Sequence, residues 1–137
     1  MVLLDFSDTI ASEDKNASEK IYTVSHAFTP TVLKSNTRAT WTLHITPKPG
    51  YAIKASTPLT CTLTTTQHVH LEKVKYTQKD LQNDEADTSH HTKKIVINLD
   101  TQEKGAATLE ARLTFFVCNA SLCAQQHETI TAVARVR

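Results

Sequence analysis

The longest β-like stretch of the chain is residues 107–117, ATLEARLTFFV. Its apolar side chains recur at every second position and would share one face of a strand, whereas Thr, Glu and Arg would occupy the other face. Cys118 ends this strand, Cys123 opens the next strand after a short polar link, and residues 128–136 of that strand alternate in the same way. Two alternating stretches joined by a short link predict an antiparallel hairpin of long strands.

Shorter segments of the same kind begin at Lys20. The clearest is residues 39–46, in which Trp41, Leu43 and Ile45 alternate with polar side chains. Further β-like segments are predicted at residues 21–28, 59–64, 69–76 and 94–99. No segment favours a helix, and turn signals recur roughly every 8–12 residues, as is typical of antiparallel sandwiches. The sequence therefore predicts an all-β antiparallel sandwich of about seven to nine strands.

Length and charge restrict the classes of function. A chain of 137 residues fits one domain. Its 15 basic and 14 acidic side chains give a formal net charge of +1, which offers no reason to expect a nucleic acid or an anionic membrane as partner.

The first residues lack the basic flank and long apolar run of a signal peptide, so the protein is either cytoplasmic or begins after a removed signal. Residues 1–18 are predicted to form a flexible N-terminal arm, and residues 19–137 the sandwich domain.

Residues 77–91 are predicted to form a long polar loop, which in a compact domain is usually functional or mobile. The acidic residues of this loop are not accompanied by the glycine and the terminal glutamate that a calcium-binding loop requires. The chain also lacks the motifs of a serine hydrolase and of a phosphate-binding loop. We therefore expect a solvated loop and no hydrolytic centre.

Cys118 and Cys123 are the main candidates for chemistry, with four residues between them. The spacing allows a redox-active disulfide, a structural bridge or two unpaired thiols. A bridge over so short a loop would stabilise the fold by roughly 2 kcal/mol. The adjacent side chains are neutral, and the nearest candidate cation is His127. A partner thiol would therefore have to attack the disulfide first.

The third cysteine and the histidines have simpler interpretations. Cys61 shares parity with Leu59 and Leu63, which predicts a small apolar core residue, with a reactive third thiol as the alternative. His68 and His70 would share one face of a strand, and His90 and His91 lie in the polar loop, so zinc or copper binding is an alternative. Because no metal-binding motif accompanies them, we expect exposed histidines, no metal site and no cofactor.

The cysteine segment has a recognisable arrangement. A long strand ends in Phe115-Phe116-Val117, then come Cys118-Asn119, three further residues, Cys123 and a final strand. This arrangement resembles the end of the N-terminal periplasmic domain of the thiol:disulfide interchange protein DsbD and of related DsbC-like disulfide corrector domains. Residues 43–53, LHITPKPGYAI, are similar to the strand, Pro-Gly and aromatic segment of the same family.

The resemblance implies an immunoglobulin-like β-sandwich in the periplasm. It implies that Cys118 and Cys123 are redox-active and relay electrons from a thioredoxin-like donor to oxidised extracytoplasmic proteins. Cys123 would form the mixed disulfides with thioredoxin-fold partners, and Cys118 would be its resolving mate. It also implies a protein-disulfide reductase module that can be one piece of a larger membrane reductase.

A second hypothesis is a non-catalytic protein-binding or scaffold sandwich with a structural hairpin disulfide. Two features favour it. Ala124-Gln125-Gln126 stand where the family often has prolines. The region that would match the family's aromatic-tipped cap loop, about residues 80–91, holds no aromatic side chain, and Leu81 is its only large apolar one.

Overall fold

Two antiparallel sheets make up the fold in the computed structural model, which describes residues 21–84 and 91–137. Among these residues nine strands occur: β1 (Tyr22–Thr29), β2 (Arg38–Pro47), β3 (Thr60–Thr65), β4 (Val69–Leu71), β5 (Lys75–Thr77), β6 (Gln82–Asn83), β7 (Lys93–Thr101), β8 (Gly105–Cys118) and β9 (Cys123–Val136). A single 3₁₀ turn, Gln78–Asp80, is the helical element of this part of the chain. None of the described helical structure is long and apolar enough to cross a membrane.

The first sheet has the strand order β1-β2-β7-β4. β6 also pairs with β7, on the same side as β4 but at the opposite end of the strand. The second sheet has the order β5-β3-β8-β9. The sheet arrangement confirms the predicted all-β, immunoglobulin-like sandwich of about seven to nine strands. The predicted N-terminal arm, residues 1–18, lies outside the described residues.

The core lies between the two sheets and follows the predicted alternation. Trp41, Leu43 and Ile45 of β2 are buried, as are Leu109 and Phe115 of β8. Trp41 stacks on Phe28 and donates its indole N–H to Nδ1 of His26 at 3.1 Å, so its polar edge is satisfied. The hydrophobic effect therefore fixes which face of each strand turns inward.

Residues 69–76 were predicted as one strand, and this prediction is wrong. β4 pairs with β7 in the first sheet, whereas β5 pairs with β3 in the second. The chain crosses from one sheet to the other at residues 72–74, and Val74 is 55% exposed rather than directed inward. A continuous strand cannot belong to both layers, so the crossing divides it.

The first half of the polar loop predicted at residues 77–91 forms the 3₁₀ turn and β6. In the 3₁₀ turn the carboxylate of Asp80 accepts a hydrogen bond from the backbone N–H of Thr77 at 2.8 Å, and Lys73 Nζ lies 2.8 Å from the same carboxylate. Asp80 therefore has a lowered pKa, chiefly because of Lys73. β6 follows directly. The rest of the predicted loop and cap, including Glu85, Asp87 and His90, lies outside the described residues except His91, which is exposed.

Candidate functional site

The candidate site is formed by the β8–β9 hairpin. Its two strands pair residue by residue over their full length, from Gly105 opposite Val136 to Cys118 opposite Cys123. Alternating apolar residues hold this register, since a slip of β9 by one residue would turn its apolar side chains away from the core. The register thus places the two cysteines opposite each other at the tip of the hairpin.

The turn between the strands is closed by Asn119. Its side-chain Oδ1 accepts hydrogen bonds from the backbone N–H groups of Ser121 at 2.8 Å and Leu122 at 2.9 Å. Its backbone N–H donates to the carbonyl oxygen of Leu122 at 2.9 Å. Asparagine commonly closes turns in this way because its short amide can substitute for a backbone acceptor.

Cys118 and Cys123 form a disulfide with an S–S distance of 2.03 Å and a Cα–Cα distance of 3.9 Å. The two cysteine residues differ in exposure. Cys118 is only 2% exposed, whereas Cys123 is an exposed residue. Cys118 is therefore the less accessible residue of the pair.

The segment around Ala52 covers the side of Cys118 that faces away from β9. The backbone of Ala52 exchanges two hydrogen bonds of 2.8 Å with the backbone of Cys118. Tyr51 and Ile53 flank this bridge, and Ile53 is buried in the core. The sequence gave no sign that this segment would lie against Cys118, since the bridge depends on tertiary packing.

Tyr22 joins the two sheets beside the hairpin. Its ring packs edge-on against Phe115 with 5.1 Å between centroids, and its hydroxyl donates to Oε1 of Glu128 at 2.5 Å. Burial, together with the Glu128 carboxylate, raises the pKa of Tyr22. The contact connects β1, the edge of the first sheet, to β9, the edge of the second. Sequence reasoning missed this contact because its partners lie far apart in the chain.

Cys61 is buried in β3 opposite Leu113 of β8, which confirms it as a core residue. Burial raises the pKa of its thiol to about 12. The third cysteine is therefore shielded from solvent and has little thiolate character.

The prediction that His68 and His70 share one face of a strand is wrong. His70 lies in β4 and is exposed, whereas His68 precedes the strand with a left-handed φ of 80°. The ring of His68 packs against Gly105, where a Cβ would lie 2.8 Å from Nε2. Among the described residues no group of three or more His, Cys, Asp or Glu side chains could hold a metal ion.

A β-sandwich with an asymmetrically exposed disulfide at the tip of an edge hairpin defines a class of domain suited to disulfide chemistry. The family model described as "Thiol:disulfide interchange protein DsbD, N-terminal" matches residues 18–135. The chain therefore belongs to the family of DsbD N-terminal domains, which confirms the predicted resemblance. The family and the disulfide together identify it as a thiol–disulfide exchange domain. Domains of this family are periplasmic.

No curated protein sequence matches the chain. Among solved structures, AggA, the major subunit of aggregative adherence fimbriae type I from Escherichia coli, matches with a TM-score of 0.43 and 18% sequence identity. The match covers 85% of this chain and 95% of AggA.

Proposed function

We propose that this domain is a periplasmic electron relay that accepts electrons from a thioredoxin-like donor and passes them to oxidised extracytoplasmic proteins. The observation that supports the proposal is the unequal exposure of Cys118 and Cys123 within one disulfide. An exchange partner attacks the sulfur that it can reach. Cys123 is therefore the residue that forms mixed disulfides, and Cys118 is its resolving mate.

The reductive half-reaction consumes two thiols of the donor. One donor thiolate attacks Sγ of Cys123, the Cys118–Cys123 bond breaks, and Cys118 leaves as a thiolate that takes up a proton. The second donor thiol then attacks the donor sulfur of the mixed disulfide. The donor becomes oxidised, and Cys123 leaves as a thiolate, so two electrons have moved to the domain.

The oxidative half-reaction returns the bridge. The thiolate of Cys123 attacks a disulfide of the client protein and releases one client thiol. Cys118 then attacks Sγ of Cys123, which re-forms the native disulfide and releases the second client thiol. The buried position of Cys118 directs it toward Cys123 rather than toward solvent, which favours resolution over side reactions.

The adjacent side chains suit a relay rather than a strong oxidant. His127 is exposed, and its Nδ1 lies 3.1 Å from the hydroxyl of Thr114 rather than near a sulfur. The turn residues between the cysteines carry no charge. Exchange therefore depends on the partner's own activated thiolate. We further propose that the partners are thioredoxin-fold proteins and that the domain belongs to a larger membrane reductase.

Single-cysteine variants test the assignment of roles. Cys118→Ser leaves the exposed sulfur, and we expect it to form a mixed disulfide with thioredoxin whose reactive cysteine has been activated by an aromatic thiol. Cys123→Ser leaves the buried sulfur and should react far more slowly, by about tenfold or more. Non-reducing gels and mass spectrometry would detect the product. Equal trapping by both variants, or by neither, would contradict the proposal.

The reduction potential separates the relay from a structural bridge. A structural disulfide should have a potential below about −300 mV, whereas a relay should lie near the thioredoxin-like couples at about −270 mV or above. Equilibration of the oxidised domain with dithiothreitol buffers would measure it. A potential below the structural limit would favour the scaffold hypothesis.

A further inference from the structure

The outer edge of β9 is long and has no paired strand along most of its length within residues 21–84 and 91–137. β9 is the last strand of its sheet, and among the described residues no strand pairs with its outer side from Cys123 to Val133. Edge strands of soluble proteins are usually protected by proline, lysine or a β-bulge. β9 contains neither proline nor lysine, and its register with β8 runs without a bulge. This edge is therefore competent to pair with a further strand.

The backbone of Cys123 faces that edge. In an antiparallel pair, a residue directs its N–H and C=O to the same side, and the direction alternates along the strand. Cys118 directs both groups to Ala52, away from β9, so the Cys118–Cys123 pair is not hydrogen-bonded through its backbone. Cys123 consequently directs its own N–H and C=O outward, and by alternation so do Gln125 and His127.

The other end of β9 already uses its outer edge in this way. Arg137, just beyond the strand, has the same parity as Cys123. Its N–H donates to the carbonyl of Leu33 at 2.8 Å, and its carbonyl accepts from Ser35 at 3.0 Å. The chain itself thus shows that an extended segment can lie along this side of the hairpin.

The direction from which a thiolate attacks this disulfide also points to the outer edge of β9. The attacking sulfur approaches along the line of the bond that breaks, from the side opposite the leaving sulfur. The disulfide here joins β9 to β8, so a thiolate that displaces Cys118 from Cys123 approaches from beyond β9. The corresponding approach to Cys118 comes from beyond β8, where the Ala52 bridge lies.

We propose that the redox partner adds an extended segment to the outer edge of β9 at Cys123, Gln125 and His127, and that this pairing holds the partner's reactive cysteine beside Cys123. The proposal rests on the relay function proposed above and names the docking surface for it. Neighbouring strands lie about 4.8 Å apart, which is within the Cα separation that a mixed disulfide spans. The step itself is unchanged: the partner thiolate bonds to Sγ of Cys123, and Cys118 leaves as a thiolate that is protonated by solvent.

The side chains of this edge do not select one particular partner sequence. Between Cys123 and Val133 the only formally charged side chain is Glu128, which is bonded to Tyr22. Recognition through main-chain hydrogen bonds tolerates different side chains. A relay must accept a donor and clients of different sequence, and strand addition meets that requirement.

Proline at position 125 tests the docking surface. Gln125→Pro removes an N–H that points outward and leaves the hydrogen bonds to β8 intact, as proline does on an exposed strand edge. We expect the rate constant for reduction by thioredoxin to fall about tenfold, the factor that corresponds to loss of one backbone hydrogen bond. The rate with dithiothreitol, which needs no strand, should not change.

Two control variants isolate the backbone effect. Gln125→Ala removes the same side chain and keeps the N–H, and Val133→Pro places a proline on the same edge far from the disulfide. Val133→Pro should react with thioredoxin as the unmodified chain does, and Gln125→Ala should lose less of the rate than Gln125→Pro because its N–H remains. If Gln125→Pro also reacts at the unmodified rate, strand addition is wrong while the relay stands. If thioredoxin fails to reduce even the unmodified chain, the relay and the docking surface are both wrong.

Hydrogen exchange provides a measurement that does not depend on a proline variant. In the trapped complex of Cys118→Ser with thioredoxin, the amides of Cys123, Gln125 and His127 should exchange more slowly than in the free chain. Protection that is already present in the free chain would overturn the proposal. If that protection depends on protein concentration, a second copy of the chain covers the edge. If it does not, the chain's own residues cover it.

Discussion

Three cysteines of one chain have three different environments because each lies at a different place in the sheets. Cys61 is in an interior strand with its side chain in the core, and its pKa is raised by burial to about 12. Cys118 ends an interior strand and is covered, whereas Cys123 begins an edge strand and is exposed. Local sequence around the three residues does not encode this difference, since it depends on which strand becomes the edge.

Asn119 is the residue of the hairpin tip whose side chain has the clearest structural effect. Asn119→Ala removes the acceptor of two backbone hydrogen bonds, and we expect the free energy of unfolding to fall by about 1 kcal/mol. Asn119→Asp keeps an acceptor at the same position and should retain most of the stability. Urea denaturation of the oxidised proteins would measure both. Equal losses in the two variants would show that the side-chain acceptor does not stabilise the turn.

At the scale of elements, apolar alternation predicted most of the strands to within a few residues. The prediction that Cys123 opens the last strand is confirmed, although apolar alternation marks β9 only from residue 128 onward. The inward side of the first part of β9 carries Ala124, Gln126 and Glu128, which are only partly buried because β9 is an edge strand near the end of the sandwich. An edge position relaxes the need for apolar residues, so the periodic signal is missing there.

The division of residues 69–76 could not be predicted for a related reason. Both halves have strand-like residues, and only their pairing with different sheets separates β4 from β5. The candidate site shows the same limit. The sequence predicted the cysteines and their hairpin, but the exposure of Cys123 and the Ala52 bridge arise from pairing between distant segments.

The hairpin should persist without its disulfide. The loop that the bridge closes is short, so the model of unfolded-chain entropy gives it a contribution of only about 2 kcal/mol. The strands are also held by their register along the whole of β8 and β9 and by the core face that they share. We expect the reduced domain to unfold cooperatively, with a free energy of unfolding about 2 kcal/mol lower than that of the oxidised domain.

Urea denaturation with and without reductant would measure this difference, and the Cys118→Ala/Cys123→Ser double variant provides a control that cannot re-oxidise. Loss of cooperative unfolding on reduction would mean that the bridge holds the fold together. Such a domain could not remain folded through a redox cycle, so this outcome would also count against the relay.

At the scale of the whole molecule, the protons of the Cys61 thiol and the Tyr22 hydroxyl make the stability of the fold depend on pH. Cys61 lies between the sheets, and Tyr22 fastens β1 to β9 through Glu128. Burial is the main cause of the raised pKa of both groups. The folded protein therefore retains each proton at a pH at which the unfolded chain has released it.

The sign of the effect follows from this difference in proton binding. For Cys61, stabilisation is complete below the ordinary thiol pKa of 9.0 and is lost as the pH rises toward about 12. Tyr22 adds a further loss above its ordinary pKa of 10.0. We expect the free energy of unfolding, measured by urea denaturation at stepped pH, to decline from pH 9.0 upward. Cys61→Ala should delay the onset of this decline, and Tyr22→Phe should flatten it above pH 10.0. A decline of the same onset and slope in both variants would assign it to other groups.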